Sequence, residues 1–538
     1  MSSSHYETSR VLIVDDFHNF RRTLAKSIHD LGFRHIDSVA TGEEAANLCH
    51  KQHYDLILCD YNLGDGKNGQ QLLEELRYHQ DIKSSDIFVM ISADTSRHVV
   101  MCSYDCEPDA FLTKPITGKV LEQRIKRLMA QREELSRVYQ SIEKEDYQTA
   151  INLLYDNIQQ QSHYMVDCQK LLGELYIKEK EYGLAEQLYK DILEARELDW
   201  ALVGLANVKI ERGEIDSALE SLEDIIFNNP SYLKAYDSLS KACSLAGNNH
   251  RLQKVLEMAT EVSPMSTSRQ KSLAEIALDN GDVELAVKAY KKTIKFGANS
   301  HHDTPDNHLN FARAITKVFD NDIDKAKEFS REATLLLNNL EDKYQVSPQQ
   351  KVQAKLLNSQ IHALEGNKQQ SKILLNEVED VLETTIEKNI ELDIEIVNAL
   401  IANDKRMEAT TMLNELVDRY KNDQSALEKL DPLLNEPVSE KGKKMIAQIN
   451  KKGIAAYQKK QYETSINFFI RAQKKFPRYI GLKLNLIQAM IGSMRDNENN
   501  AYKKQCQSTF KVIERYITPT SPQFYRYQQL HTMLQKIQ

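Results

Sequence analysis

Small side chains recur in this chain at a nearly fixed period. Gly173, Ala206, Ser240 and Ala274 are spaced by 33, 34 and 34 residues, each near the middle of an apolar helical stretch. Twelve residues after each come Ala185, Ala218, Leu252 and Ala286, followed four later by Tyr189, Leu222, Leu256 and Tyr290. Such a pattern is that of a helix hairpin: small residues let two helices approach closely, the large residue one turn on fills the adjoining gap, and a proline such as Pro230 or Pro264 stops the second helix. A unit of this size cannot bury its apolar face alone and must stack on copies of itself. With only 18 Gly and 11 Pro in 538 residues, turns are few and most of the chain is predicted to be helix.

The units resemble tetratricopeptide repeats. LLGELYIKEKEYGLAEQLYKDIL at 171–193 is the clearest copy, EDYQTAINLLY at 145–155 begins the array, and KKGIAAYQKKQYETSINFFIRAQKKFP at 451–477 keeps Gly453, Phe469, Ala472 and Pro477. Between about 300 and 436 the twelve-residue step survives in Ala314 and Ala326 and in Ser359 and Ser371, but the units stretch to about 40 and then 45 residues, so longer hairpins are expected. Gly297–Asn307 and Leu430–Gly442, with Pro432 and Pro437, are the boundary candidates. The resemblance implies a protein partner on the concave face, contacted by polar and aromatic residues that the sequence does not identify.

The first 128 residues follow a different pattern. Val11–Val14, Tyr54–Cys59 and Ile87–Ile91 are apolar runs rich in β-branched residues, joined by Ala110–Leu112 and a weaker run at 35–40, with helical patterns over Phe20–Leu31 and Gly42–Leu48. They predict a flavodoxin-like α/β domain with five parallel strands, whose ligands collect beyond the carboxyl ends of the strands. Asp15 and Asp16, Asp60, Ser92 and Lys114-Pro115 follow four of these runs and would meet at that edge. Three converging carboxylates repel one another unless a cation lies among them, and Mg²⁺ suits an all-oxygen cluster. Phosphoryl transfer needs mainly alignment and charge neutralisation, so Asp60 is the candidate nucleophile, Lys114 a second positive charge, and the Ser92 hydroxyl a contact for a phosphoryl oxygen.

VDD at 14–16, DYNLGDG at 60–66, ISA at 91–93 and DAFLTKP at 109–115 resemble the receiver domains of two-component response regulators. That resemblance implies that Asp15, Asp16, Asp60 and the Asn62 main-chain carbonyl hold Mg²⁺, and that Asp60 accepts a phosphoryl group from a histidine kinase or phosphotransfer protein. It also implies that Ser92 and Phe111 form a switch pair, that Lys114-Pro115 is cis, and that the domain catalyses its own phosphoryl uptake and hydrolysis. Cys106-Glu107-Pro108 departs from the small-residue and glycine turn usual in the family and touches its signalling face.

From Ile116 to Lys144 only Gly118 interrupts a helix-compatible sequence, in which Leu121, Ile125, Leu128, Leu135, Tyr139 and Ile142 fall on a roughly seven-residue pattern broken at Arg132. One amphipathic helix packing first on the receiver and then on the repeats explains it; a dimerising helix pair is the alternative. The expected organisation is a receiver at 1–128, a tetratricopeptide array at 129–299, divergent helical repeats at 300–436 and a basic helical module at 437–538. From Ser439 to Gln538 there are 19 Lys and Arg against 5 Asp and Glu, a balance of +14, which leaves −22 on the remainder of a chain whose net charge is −8. Lys443, Lys444, Lys451, Lys452, Lys459, Lys460, Lys474 and Lys475 alternate with Tyr457, Phe468, Phe469 and Tyr479. That interleaving keeps RNA or DNA binding as an alternative output, but docking on an acidic protein surface is favoured. No zinc-type Cys/His spacing, Gly-rich phosphate loop, GxSxG elbow or helix-turn-helix is found, which argues against a catalytic or ordinary DNA-binding output. The absence of an apolar span or leader and the seven scattered cysteines point to the cytoplasm.

Overall fold

The computed structural model describes residues 4–94, 96, 101, 105–319, 323–382, 389–497, 500–514, 517, 519 and 521–537. Five short apolar runs become strands: β1 Arg10–Val14, β2 His35–Val39, β3 Leu56–Asp60, β4 Ile87–Ser92 and β5 Ala110–Thr113. They pair in parallel in the order β2-β1-β3-β4-β5. Because side chains alternate along a strand, Leu12, Val14, Ile57, Cys59, Phe88 and Met90 line one face, while Val11, Ile13, Leu56, Leu58, Val89 and Ile91 line the other. After the short helix α1 (Ser4–Thr8), helices α3 (Gly42–Cys49) and α4 (Gly69–Tyr78) cover the first face, and α2 (His18–Asp30) and α5 (Gly118–Glu134) cover the second. Local caps fix where these helices start: Thr41 and Thr117 accept backbone N–H bonds at α3 and α5, and Asn68 forms a reciprocal capping box with Gln71 at α4.

The run expected to be helical from Ile116 begins at Gly118 and breaks at Leu135, after which α6 spans Ser136–Glu143. Leu121, Ile125 and Leu128 belong to the receiver core, whereas Leu135, Val138 and Tyr139 belong to the core of the first repeats. Arg132, where the heptad pattern fails, is drawn back to Asp109 in an ion pair and lies over the Tyr139 ring. The apolar stripe is therefore buried within the chain, on two helices where one continuous helix was expected.

Beyond it the described chain is helical throughout, mostly in antiparallel pairs. In the first repeats α7 is Tyr147–Gln159, α8 Met165–Lys178, α9 Tyr182–Ala195, α10 Asp199–Glu211, α11 Ile215–Asn228, α12 Leu233–Leu245 and α13 Asn249–Val262. The small-residue rule has a direct cause in α8 to α10. A Cβ added at Gly173 would sit 2.6 Å from Cζ of Tyr189, and one at Gly204 would sit 2.3 Å from the same atom, so one tyrosine fills the notches of two neighbouring helices. In the third unit Ser240 and Leu252 are only half-buried, and Ala242, Cys243 and Val255 take the core positions. A helix rotated slightly about its axis exchanges neighbouring positions without losing the period.

Residues Met1–Ile276 with Lys288–Asn307 form one compact unit, and Ala277–Val287 with His308–Gln538 form a second. In the second unit, Pro348–Glu365 and Lys368–Leu382 are longer than the helices of the first repeats, as expected, but Ile390–Ala402 and Arg406–Arg419 are of ordinary length. Ser359 and Ser371 replace the alanine pair and satisfy their own hydroxyls, each donating to the other's main-chain carbonyl at 2.9 and 2.7 Å. Gly453 faces the Phe469 ring just as Gly173 faces Tyr189. No described helix is long and apolar enough to cross a membrane.

Two glycine substitutions separate packing from helix propensity. Gly204→Val is expected to lower stability by about 1–3 kcal/mol through overpacking against Tyr189. Gly183→Ala, whose Cβ meets nothing within 4 Å, should be neutral or stabilising by up to about 1 kcal/mol. Scanning calorimetry of the two variants checks this, and equal shifts in the two would contradict it.

Candidate functional site

β1 and β3 flank the point where strand order reverses, and the residues at their carboxyl ends meet there. Asp15 and Asp16 follow β1, Asp60 and Ser92 are the last residues of β3 and β4, and Lys114 follows β5. The sequence placed Asp60 and Ser92 one residue later, just past their strands; in parallel register they are still paired, Asp60 with Ile91 and Ser92 with Thr113. Asp15, Asp16 and Asp60 each offer a carboxylate oxygen within 4.8 Å of the other two. Asp15 and Asp60 are buried, 1 and 6% exposed, while Asp16 is open to solvent.

Lys114 Nζ donates to Asp15 Oδ2 at 2.7 Å and to Asp60 Oδ2 at 2.6 Å. Burial raises the Asp60 carboxyl pKa, with Asp15 adding to it, and Lys114 and a backbone hydrogen bond from Asn62 oppose the rise. Burial disfavours the Lys114 charge, yet the two carboxylates outweigh it and raise the ammonium pKa. The Phe20 ring lies 4.2 Å from the same ammonium. Asp15 is held from its own segment: its Oδ1 accepts the Phe17 N–H at 2.8 Å and its carbonyl accepts from Arg21. Three carboxylates against one ammonium leave surplus negative charge on oxygen donors alone, a donor set that fits a hard divalent cation such as Mg²⁺.

Asn62, Ser92, Lys114 and Asp60 line a cavity of about 570 Å³ with Phe17, Phe20 and Asp94. The Ser92 hydroxyl is turned into its own loop, donating to the Asp94 carbonyl at 3.2 Å and accepting its N–H at 3.0 Å. Phe111, two residues before the partner of Ser92, is half-buried against the core cluster that holds Met90 and Cys106. The Lys114-Pro115 bond is cis. Of the residues singled out from the sequence, Asp60, Asn62, Ser92 and Lys114 line this cavity, Asp15 and Asp16 cluster with Asp60, and Phe111 packs on the neighbouring sheet face.

Sequence reasoning missed Gly69. A Cβ there would sit 2.4 Å from the Asp60 carbonyl, and its N–H donates to the Tyr61 carbonyl at 2.9 Å, so α4 starts hard against the strand end that carries Asp60. A glycine directly after the helix cap Asn68 was the available signal. Phe17 and Phe20 were missed as well, since nothing local marks an aromatic residue as facing a charged cavity.

The edge beyond Ser92 meets the first repeats. Asp105, thirteen residues on, accepts from Arg269 Nη1 at 2.7 Å and from the Ser263 hydroxyl, and Arg269 also holds both oxygens of Asp237. Two carboxylates keep Arg269 charged, while burial leaves the Asp105 carboxyl above its ordinary value. Glu107, at φ +48°, pairs with Lys234, and Arg77 donates to the Cys106 and Glu107 carbonyls. The departure at Cys106-Glu107-Pro108 therefore falls on a built contact.

The family model for the response regulator receiver domain matches residues 11–126. The chemotaxis protein CheY of Pseudomonas aeruginosa is 28% identical over 119 residues, 22% of this chain and 94% of that protein. CheY-3 of Vibrio cholerae is 27% identical over 119 residues, 22% of this chain and 90% of its own length. A crystal structure of a CheY-like receiver domain from Methanospirillum hungatei aligns at 24% identity over 23% of this chain and 97% of that one, with a TM-score of 0.22. No tetratricopeptide family model matches the helical region. Residues 11–126 are a CheY-like receiver domain, and the rest of the described chain is a long helical region.

Gly69→Val should displace the Asp60 backbone and weaken Mg²⁺ binding by about 10–100-fold, as loss of a supporting neighbour does at metal sites. Isothermal titration checks it; unchanged affinity in a folded variant would show that α4 does not position the site.

Proposed function

We propose that this receiver domain makes the chain a two-component response regulator, phosphorylated on Asp60, whose helical repeats bind a protein partner under that control. The observation that carries the reading is the Lys114 ammonium held between the buried Asp15 and Asp60 carboxylates at the mouth of a cavity that also contains Ser92. The donor is a phosphohistidine on a histidine kinase or phosphotransfer protein. An Asp60 carboxylate oxygen attacks phosphorus, the P–N bond of the donor breaks, and the imidazole leaves with the electron pair and takes up a proton. Lys114 follows the charge from the carboxylate to a phosphoryl oxygen. Mg²⁺, held by Asp15, Asp16, Asp60 and the Asn62 carbonyl, supplies neutralisation of the remaining phosphoryl charge when bound.

Ser92 then exchanges its bonds with Asp94 for one to the phosphoryl group, and Phe111 follows into the space released. The same stretch of chain leads to Asp105 and Glu107, which grip Arg269, Ser263 and Lys234 of the repeats. Parting a buried ion pair by removing one partner costs about 3–5 kcal/mol, and a tenfold change in occupancy needs only about 1.4 kcal/mol, so this contact is strong enough to carry the signal. The repeats, TPR-like in their small-residue packing, are the surface on which a partner is gained or lost.

The basic module favours a protein partner over nucleic acid. Its eight paired lysines are exposed, but Phe469 is buried over Gly453 and Tyr457 packs edge-on against Tyr462, so these two of the four intervening aromatics are engaged within the module.

Incubation with Mg²⁺ and a small phosphodonor is expected to add one phosphoryl group to the wild type and none to Asp60→Asn, read by intact mass. An unmodified wild type, or equal modification of both, would contradict the proposal.

A further inference from the structure

A second cluster of ligating side chains joins helix α4 to the segment after the helix Val283–Gly297. Glu74 of α4, His301 and His302 each offer a ligand atom within 4.8 Å of the other two. Glu74 is oriented by its neighbours: its Oε1 accepts from Gln70 Nε2 at 3.1 Å and from the Cys106 thiol at 3.3 Å, which leaves Oε2 facing His302 Nε2 at 3.8 Å. In a tetrahedral zinc site, ligand atoms about 2.0–2.1 Å from the ion are about 3.3 Å apart, so a contraction of a few tenths of an ångström would close this pair on a metal.

The histidines are held as firmly as the carboxylate. The Ser300 hydroxyl donates to the Gly297 carbonyl at 2.7 Å and accepts the His302 N–H at 3.1 Å, and Asn307 donates to the His302 carbonyl at 2.7 Å. Gln71, whose Oε1 completes the α4 capping box, uses its amide nitrogen to donate to the carbonyls of Phe296 and Ala298 at 3.1 and 2.9 Å. The His301 ring stacks on Tyr78 at 4.8 Å, and its Nδ1 is buried with no hydrogen-bond partner. Lys271 lines the same cavity of about 260 Å³, so its charge opposes an incoming cation there.

From these positions we propose that Glu74, His301 and His302 bind one transition-metal ion of the Zn²⁺ class, with an open position toward the cavity, and that this ion pins receiver helix α4 to the helical region. Two imidazoles and one carboxylate select Zn²⁺ over Mg²⁺ or Ca²⁺, which prefer all-oxygen sets. The cluster shares no residue with the Asp15–Asp16–Asp60 group.

The test uses the full chain, stripped with a chelator, dialysed and titrated with ZnCl₂ in millimolar Mg²⁺ so that the acidic Asp15–Asp16–Asp60 cluster is already supplied. One Zn²⁺ per chain is expected in the wild type, at least tenfold weaker binding in Glu74→Gln, and loss of that ion in His301→Ala/His302→Ala. Co²⁺ added to the unmutated chain should give the absorption of an imidazole-bound ion, a readout that does not depend on the variants folding. No stoichiometric Zn²⁺ in the wild type, equal binding in the folded double variant, or loss instead in Asp15→Asn would overturn the proposal.

Discussion

The Lys114 ammonium between the Asp15 and Asp60 carboxylates is the interaction on which the receiver's chemistry depends. Burying two carboxylates side by side is costly unless a cation compensates them, and here one does so at 2.7 and 2.6 Å while its own charge is sustained in return. The arrangement explains why three strands must end together, why α4 must begin with a residue that has no side chain, and why Arg21 and Phe17 tie the segment after β1 in place. It also leaves surplus negative charge on oxygen donors, which a further hard cation would compensate.

What distinguishes this chain from a free-standing receiver is that its edge is engaged by the helical region. Arg269 is 9% exposed and shared between Asp105 of the receiver and Asp237 of the repeats. A guanidinium so placed has a carboxylate to fall back on when one partner leaves, which lowers the cost of undocking relative to an isolated pair. The break at Leu135 serves the same geometry: the helix that finishes the receiver fold ends there, and Leu135 with the next helix supplies the first core residues of the repeats.

Much of this was legible in the sequence for local reasons. An apolar run followed at once by an acid, as in VLIV before Asp15, carries both strand and site in a few residues, and the twelve-residue step between small side chains survives even where alanines become Ser359 and Ser371. Contacts formed over long separations were not legible. Arg269 and Asp105 lie 164 residues apart with no local mark on either, and the break at Leu135 arises because two cores compete for one helix-compatible run. Ser240 and Leu252 fell beside the core because a period fixes the spacing of a face but not its rotation.

The central claim is that the phosphoryl state of Asp60 is read at the grip of Asp105 on Arg269. Hydrogen–deuterium exchange of the full chain, with and without stoichiometric phosphorylation, tests it at the backbone amides of 263–270. The account predicts faster exchange there in the phosphorylated wild type and no change in Asp60→Asn treated alike. Identical exchange at 263–270 in the phosphorylated and unphosphorylated wild type would contradict it.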